Sequence, residues 1–140
     1  MSTMGARMGL AAMASLGVTK SEQFQVEGHC YSKNCALDGV QYTTGCTLGN
    51  GNLSFGDDGK AAFSLKKRGG RGGVLVSVSE GAMARLSDFK GKKGRLTDEK
   101  AACGPVRALE IDAEIEREFA QLVLWVQSAR DAELFTITRL

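Results

Sequence analysis

Residues 5–16 (GARMGLAAMASL) carry a pattern of helical period. Met8, Ala12 and Leu16 fall at i, i+4 and i+8 and share one stripe, and Gly17 is a natural stop. Residues 23–29 (QFQVEGH) switch to period two. Phe24 and Val26 alternate with polar neighbours there, which predicts a strand with one buried face. Asn34 is placed to cap a short helix running toward Tyr42, on which Cys35, Asp38 and Tyr42 lie at i, i+3 and i+7. The glycines and asparagines of TLGNGN (47–52) predict a tight turn.

Two short apolar runs flank Asp58-Gly59, the pattern of a hairpin, and GGRGG (69–73) makes a looser connection into the strand VLVSVS. A short helix is expected over 80–89. Residues 90–104 (KGKKGRLTDEKAACG) are basic, glycine-containing and aperiodic, and predict a surface loop. The strongest helical signal follows over 109–128, where Ile111, Ile115, Phe119, Leu122 and Val126 step by 4, 4, 3 and 4. LFTITRL closes the chain as a strand. The order predicts an α+β domain spanning 1–140. Its antiparallel sheet packs with an N-terminal helix, a short cysteine-bearing helix and a long C-terminal amphipathic helix.

Composition narrows the picture only a little. The chain has 140 residues, ordinary hydrophobic and charged fractions, and a net charge of +2. The distribution of charge is less even. Residues 90–107 hold six cations and two acids, whereas 108–140 hold seven acids and three cations, an asymmetry able to orient a partner or simply to be solvated. No apolar run reaches the ~18 residues a membrane span needs, and the N-terminal segment reads as mature structure, not as an export signal. Four cysteines in such a chain imply a reducing, cytoplasmic setting with free thiols or metal ligands.

The candidate chemistry gathers at residues 29–52. Cys30, Cys35 and Cys46 follow one another with four and ten residues between them, alongside His29 and Asp38. Thiolate, imidazole and carboxylate together suit zinc or another borderline metal. The spacing is not that of a zinc finger, so buried structural thiols are the competing reading. The TTGCTLGNGN context favours an accessible Cys46 on a turn. A thiol redox pair, Cys46 with Cys35 or Cys30, is a third reading. The loop GNGNLSFGDDGK has neither nucleotide fingerprint. KKRGGRGG reads as a hairpin loop more readily than as a nucleic-acid segment, since no aromatic residues are interleaved with it.

NCALDGVQYTTGCTLGNGNLSFGDDGKAAFSL resembles the E-subunit family of molybdenum/tungsten formylmethanofuran dehydrogenase. The resemblance rests on Asn34, Cys35, Asp38 and Gln41, then Thr44, Gly45, Cys46, Thr47 and Gly49, then Asn52-Leu53 and Asp58-Gly59-Lys60. It implies an accessory metal- or cofactor-binding protein, not a catalyst on its own. Cys35 and Cys46 would be thiolate ligands with Asp38 beside them, while His29 and Cys30, outside the matching motif, are candidates to complete the site on the reading of the residues alone. Gln41, Thr44, Thr47 and Asn52 would hydrogen-bond around it. Zinc is the expected ion and haem the alternative, in a homodimer or a larger oxidoreductase complex. An interaction subunit with an empty site is the rival. Family members usually open with a G-H-x-C-P-G segment, and some carry a C-terminal zinc ribbon. This chain begins inside the helix that would follow that segment and ends without the ribbon.

Overall fold

The computed structural model describes residues 1–140. Helix α1 (Ser2–Leu16) ends at Gly17, whose φ of 66° is open to glycine, and the Val18 amide donates back to the Met13 carbonyl at 2.9 Å. Met4, Met8, Ala11 and Ala12 face inward from it. A 3-10 turn follows at Lys20–Gln25. It is fixed by a capping box in which the Thr19 amide donates to Glu22 Oε2 at 2.9 Å. This turn corrects the expected strand start. Phe24 lies on it, 76% exposed, and strand β1 begins only at Val26 and runs to Cys30.

Helix α2 spans Ala36–Thr44. Asn34 Oδ1 accepts from the Ala36 amide at 2.9 Å, one residue earlier than a standard cap, so Cys35 occupies the cap position itself. Helices α1 and α2 cross with almost no space between backbones. A Cβ on Gly39 would run into the Ser2 carbonyl and the Ala6 amide, and one on Gly5 into the Ala36 carbonyl. Small residues at both crossing points allow that approach.

The remaining strands are β2 (Leu53–Phe55), β3 (Ala62–Lys67), β4 (Val74–Val78) and β5 (Phe135–Arg139). They form one sheet in the order β2-β1-β3-β4-β5. β1 pairs with β2 in parallel, with α2 as the crossover, and every other pair is antiparallel. The α+β class therefore holds, with a mixed sheet where an antiparallel one was expected. The Asp58-Gly59 turn does not close a hairpin. It carries the chain from edge strand β2 past β1 to β3, and the true hairpin is β3–β4, across GGRGG.

Helix α3 spans Glu80–Ala102, so the expected loop at 90–104 is helical. Ser79 starts it, accepting from the Ala82 amide at 3.1 Å. Its partner is α4 (Pro105–Ser128), which returns antiparallel. Lys92–Glu118 at 2.6 Å, Lys100–Asp112 at 2.6 Å and Arg107–Glu99 at 2.8 Å bridge or brace the two helices. Leu96 and Ile111 are buried between them. Tertiary pairing thus overrides the glycines and weak periodicity of α3. It also accounts for much of the charge asymmetry, because the basic segment and the acidic one face each other. A single turn, α5 (Asp131–Leu134), leads into β5. The main core lies between α1 and one face of the sheet, centred on Phe63, Leu65, Val26, Val74 and Val76.

Candidate functional site

Alternation along β1 decides where the first candidates go. Val26, Gly28 and Cys30 point into the core, and Glu27 and His29 point out. His29 and Cys30 are neighbours in sequence and therefore lie on opposite faces of the sheet. His29 hydrogen-bonds Ser54 Oγ through Nδ1 at 2.8 Å and meets the Tyr31 ring edge-on at 4.7 Å. It lines a shallow polar basin with Ser54, Ser64 and Lys66, where Glu27 pairs with Lys66 at 3.2 Å and Arg68 at 3.4 Å.

Cys46 corrects the expectation of an accessible thiol on a turn. It is fully buried in the core cluster. Its amide donates to Thr44 Oγ1 at 3.1 Å, and its thiol points toward the Val26 carbonyl at 3.9 Å. Burial pushes its pKa up, as it does for Cys30, whose thiol is raised to about 11 by burial with the nearby Cys46 adding to the shift. Both are protonated at neutral pH in the free protein. A protonated, enclosed thiol is a poor nucleophile, which weighs against redox exchange led by Cys46.

The polar residues of the turn serve the turn. Thr44 Oγ1 donates to the Val40 carbonyl at 2.7 Å, and Asn52 Oδ1 accepts from the Thr47 amide at 2.9 Å. Asn50 closes the loop by donating to the Gly45 carbonyl at 2.9 Å. Buried Thr44 and Asn52 thereby satisfy backbone groups that would otherwise be stranded. Gln41 is half-buried on α2, and Asp38 is exposed on its first turn.

Two of the expected ligands face the same cleft. Cys30 and Cys35 line one cleft of about 490 Å³, enclosed by α1, α2, the 59–62 segment and α3. Met4, Met8, Val40 and Leu86 make its walls apolar. Asn34 and Ser32 stand beside the exposed Cys35, while Lys90 and Lys93 stand on the α3 side. A concave, mostly apolar space with a few convergent polar groups is the common form of a small-molecule site. The methionines and the α3 residues were missed by sequence reasoning. Met1, Met4 and Met8, at steps of 3 and 4, were the available signal.

The family model described as "FmdE, Molybdenum formylmethanofuran dehydrogenase operon" matches residues 1–136. The chain belongs to the FmdE family. A solved structure of a tungsten formylmethanofuran dehydrogenase FmdE-like protein from Syntrophus aciditrophicus superposes with a TM-score of 0.54 at 19% identity. That match covers 98% of this chain and 62% of the other, and it is a likeness of fold. A "Probable S-adenosyl-L-methionine-binding protein" of Archaeoglobus fulgidus is 40% identical over 80 residues. Those residues make up 54% of this FmdE chain and 22% of that protein, so the chain corresponds to a fraction of each relative's length.

The five candidate metal ligands do not converge: nowhere do three His, Cys, Asp or Glu side chains meet in a metal-holding group. The residues of this chain therefore do not fit a closed structural zinc site, which takes four ligands. No helix is long and apolar enough to cross a membrane.

Proposed function

We propose that this chain is an accessory, ligand-binding module associated with formylmethanofuran-dehydrogenase-type oxidoreductases, with the α1/α2/α3 cleft as its site. The observation that carries this is the sharing of that cleft by Cys30 and Cys35, the only two of the four cysteines that line it. The FmdE match supports the association, and the Syntrophus relative is itself called FmdE-like.

Two thiols can hold a soft cation only as an open site, its other positions filled by a bound molecule or by a second chain of a homodimer. Zinc is the ion of first choice, in a cytoplasmic setting where the thiols stay reduced. Binding must displace the proton that burial holds on Cys30, so affinity should rise with pH. Asp38, His29 and Cys46 stand outside the cleft and take no part in this arrangement.

Cadmium titration followed by thiolate charge-transfer absorption tests the reading, with wild type compared to Cys30→Ser, Cys35→Ser and Cys46→Ser. Absorption that is lost in the first two variants and retained in the third supports it. Absorption unaffected by Cys30→Ser and Cys35→Ser, or none in wild type, removes it. A Soret band in freshly purified protein would identify the bound group as haem. Light scattering on the loaded and metal-free forms shows whether a second copy completes the site.

A further inference from the structure

The cleft carries a charge pattern that the thiols do not use. Helix α3 presents Met83, Leu86, Phe89, Lys90 and Lys93 to it, one stripe that is apolar at first and cationic at its end. On the same helix, Lys92 and Lys100 are ion-paired to Glu118 and Asp112 on α4, whereas Lys90 and Lys93 enter no ion pair. No aspartate or glutamate lines the cleft, so nothing within it neutralises them. Toward the other end, Met4 and Met8 of α1 supply flexible thioether walls, a surface able to close around chains of varied shape.

We infer that this cleft binds an anionic amphiphile, a medium-chain carboxylate, with its chain among Met4, Met8, Leu86 and Phe89 and its head group against Lys90 and Lys93. The inference rests on the cleft being the functional site and names the class of molecule that would occupy it. Apolar contact supplies affinity for the chain, and the unpaired ammonium groups select the sign of the head. A cationic head meets two like charges at the same place and is rejected.

Calorimetric titration with decanoate, decanol and decyltrimethylammonium tests this on wild type and on the Lys90→Glu/Lys93→Glu double variant, with thermal unfolding read on the same samples. The expected result is decanoate binding roughly tenfold tighter than decanol, the scale of two partly exposed ion pairs. Decyltrimethylammonium should be weakest. In the double variant the order of the two charged probes reverses, while decanol affinity and the unfolding temperature stay unchanged. Equal affinity for all three probes, binding of none, or a decanoate preference that survives in the variant would overturn the inference. Lys90→Gln/Lys93→Gln serves as the second variant should the first lose stability, and it should abolish the preference without reversing it. Decanoate binding without cadmium absorption removes only the thiol reading. Cadmium absorption without decanoate binding removes only this one.

Discussion

The two halves of the molecule, one a sheet with two short helices and the other a pair of long helices, are held together by different means. On one side, α1 and α2 cross at glycine and pack on a sheet whose central side chains, Phe63, Val26 and Val76, are completely inaccessible. On the other, α3 and α4 form a hairpin of two long helices with few buried residues, chiefly Ala82, Leu96, Ile111, Leu122 and Val126. Exposed Val106, Leu109 and Leu124 show how little of α4 is covered. Paired charges and the Phe89–Phe119 contact, with centroids 5.9 Å apart, join the hairpin along its length. Shape holds the first half, and the second rests on a thin apolar seam edged by paired surface charges. The cleft lies where they meet.

That contrast can be broken most strongly from the core. Phe63→Ala should lower stability by about 4 kcal/mol, read by urea denaturation, because the ring is replaced by a cavity that a sheet cannot collapse into. Gly39→Ala should lose about 3 kcal/mol, the upper end of overpacking, since the new methyl meets backbone and not a yielding side chain. A loss below about 1 kcal/mol would mean that the crossing is looser than described.

The buried thiol gives a pH signature to the same half. Cys30 binds its proton more tightly folded than unfolded, so its contribution is complete below about pH 9 and falls away as the pH rises toward about 11. The unfolding free energy should be flat up to about pH 9 and then drop, by at most about 3 kcal/mol for this one thiol, and Cys30→Ala should flatten the drop.

Arg7 joins the halves. From α1 its guanidinium donates to the carbonyls of Val126 and Ala129, both at 2.8 Å, at the end of α4, and pairs with Asp131. Arg7→Ala should cost about 2 kcal/mol, the worth of charged hydrogen bonds, and hydrogen exchange should rise first in the last turn of α4. The smallest effect belongs to the hairpin's surface. A double-mutant cycle on Lys92 and Glu118 should give a coupling of about 0.5 kcal/mol that fades in high salt. A coupling several times larger would mean that single pairs, and not their sum, hold the arm.

Periodicity made α1, the core of α4, β4 and β5 legible, because each has a face whose burial its own sequence encodes. Residues 90–104 were misread for the opposite reason. Their helix is set by a partner distant along the chain, and lysines opposite acids leave no apolar period to detect. Phe24 was misplaced because the Thr19–Glu22 capping box, readable in retrospect, inserts a turn ahead of the strand. The parallel β1–β2 pair was out of reach of local pattern, since β1 separates β2 from the strand that follows it. Of the candidate cleft, only part of the lining was legible. Cys30 and Cys35 were picked from the sequence and do share a cleft, but nearness along the chain was a false guide for His29, which strand parity sends to the far face. The α3 wall was hidden with its helix.

The crossing of α1 and α2 has a bearing on how this protein would answer a comprehensive mutational scan. The residues that set the spacing of α1 and α2, two sides of the cleft, are Gly5 and Gly39, which have no side chain to offer a ligand. Positions of greatest intolerance would therefore cluster at groups with no chemistry, and Lys90 and Lys93 would look dispensable in any assay that reads only abundance. A map of sensitivity would outline the scaffold, and a ligand site in the cleft would stand out only if a bound molecule were scored alongside.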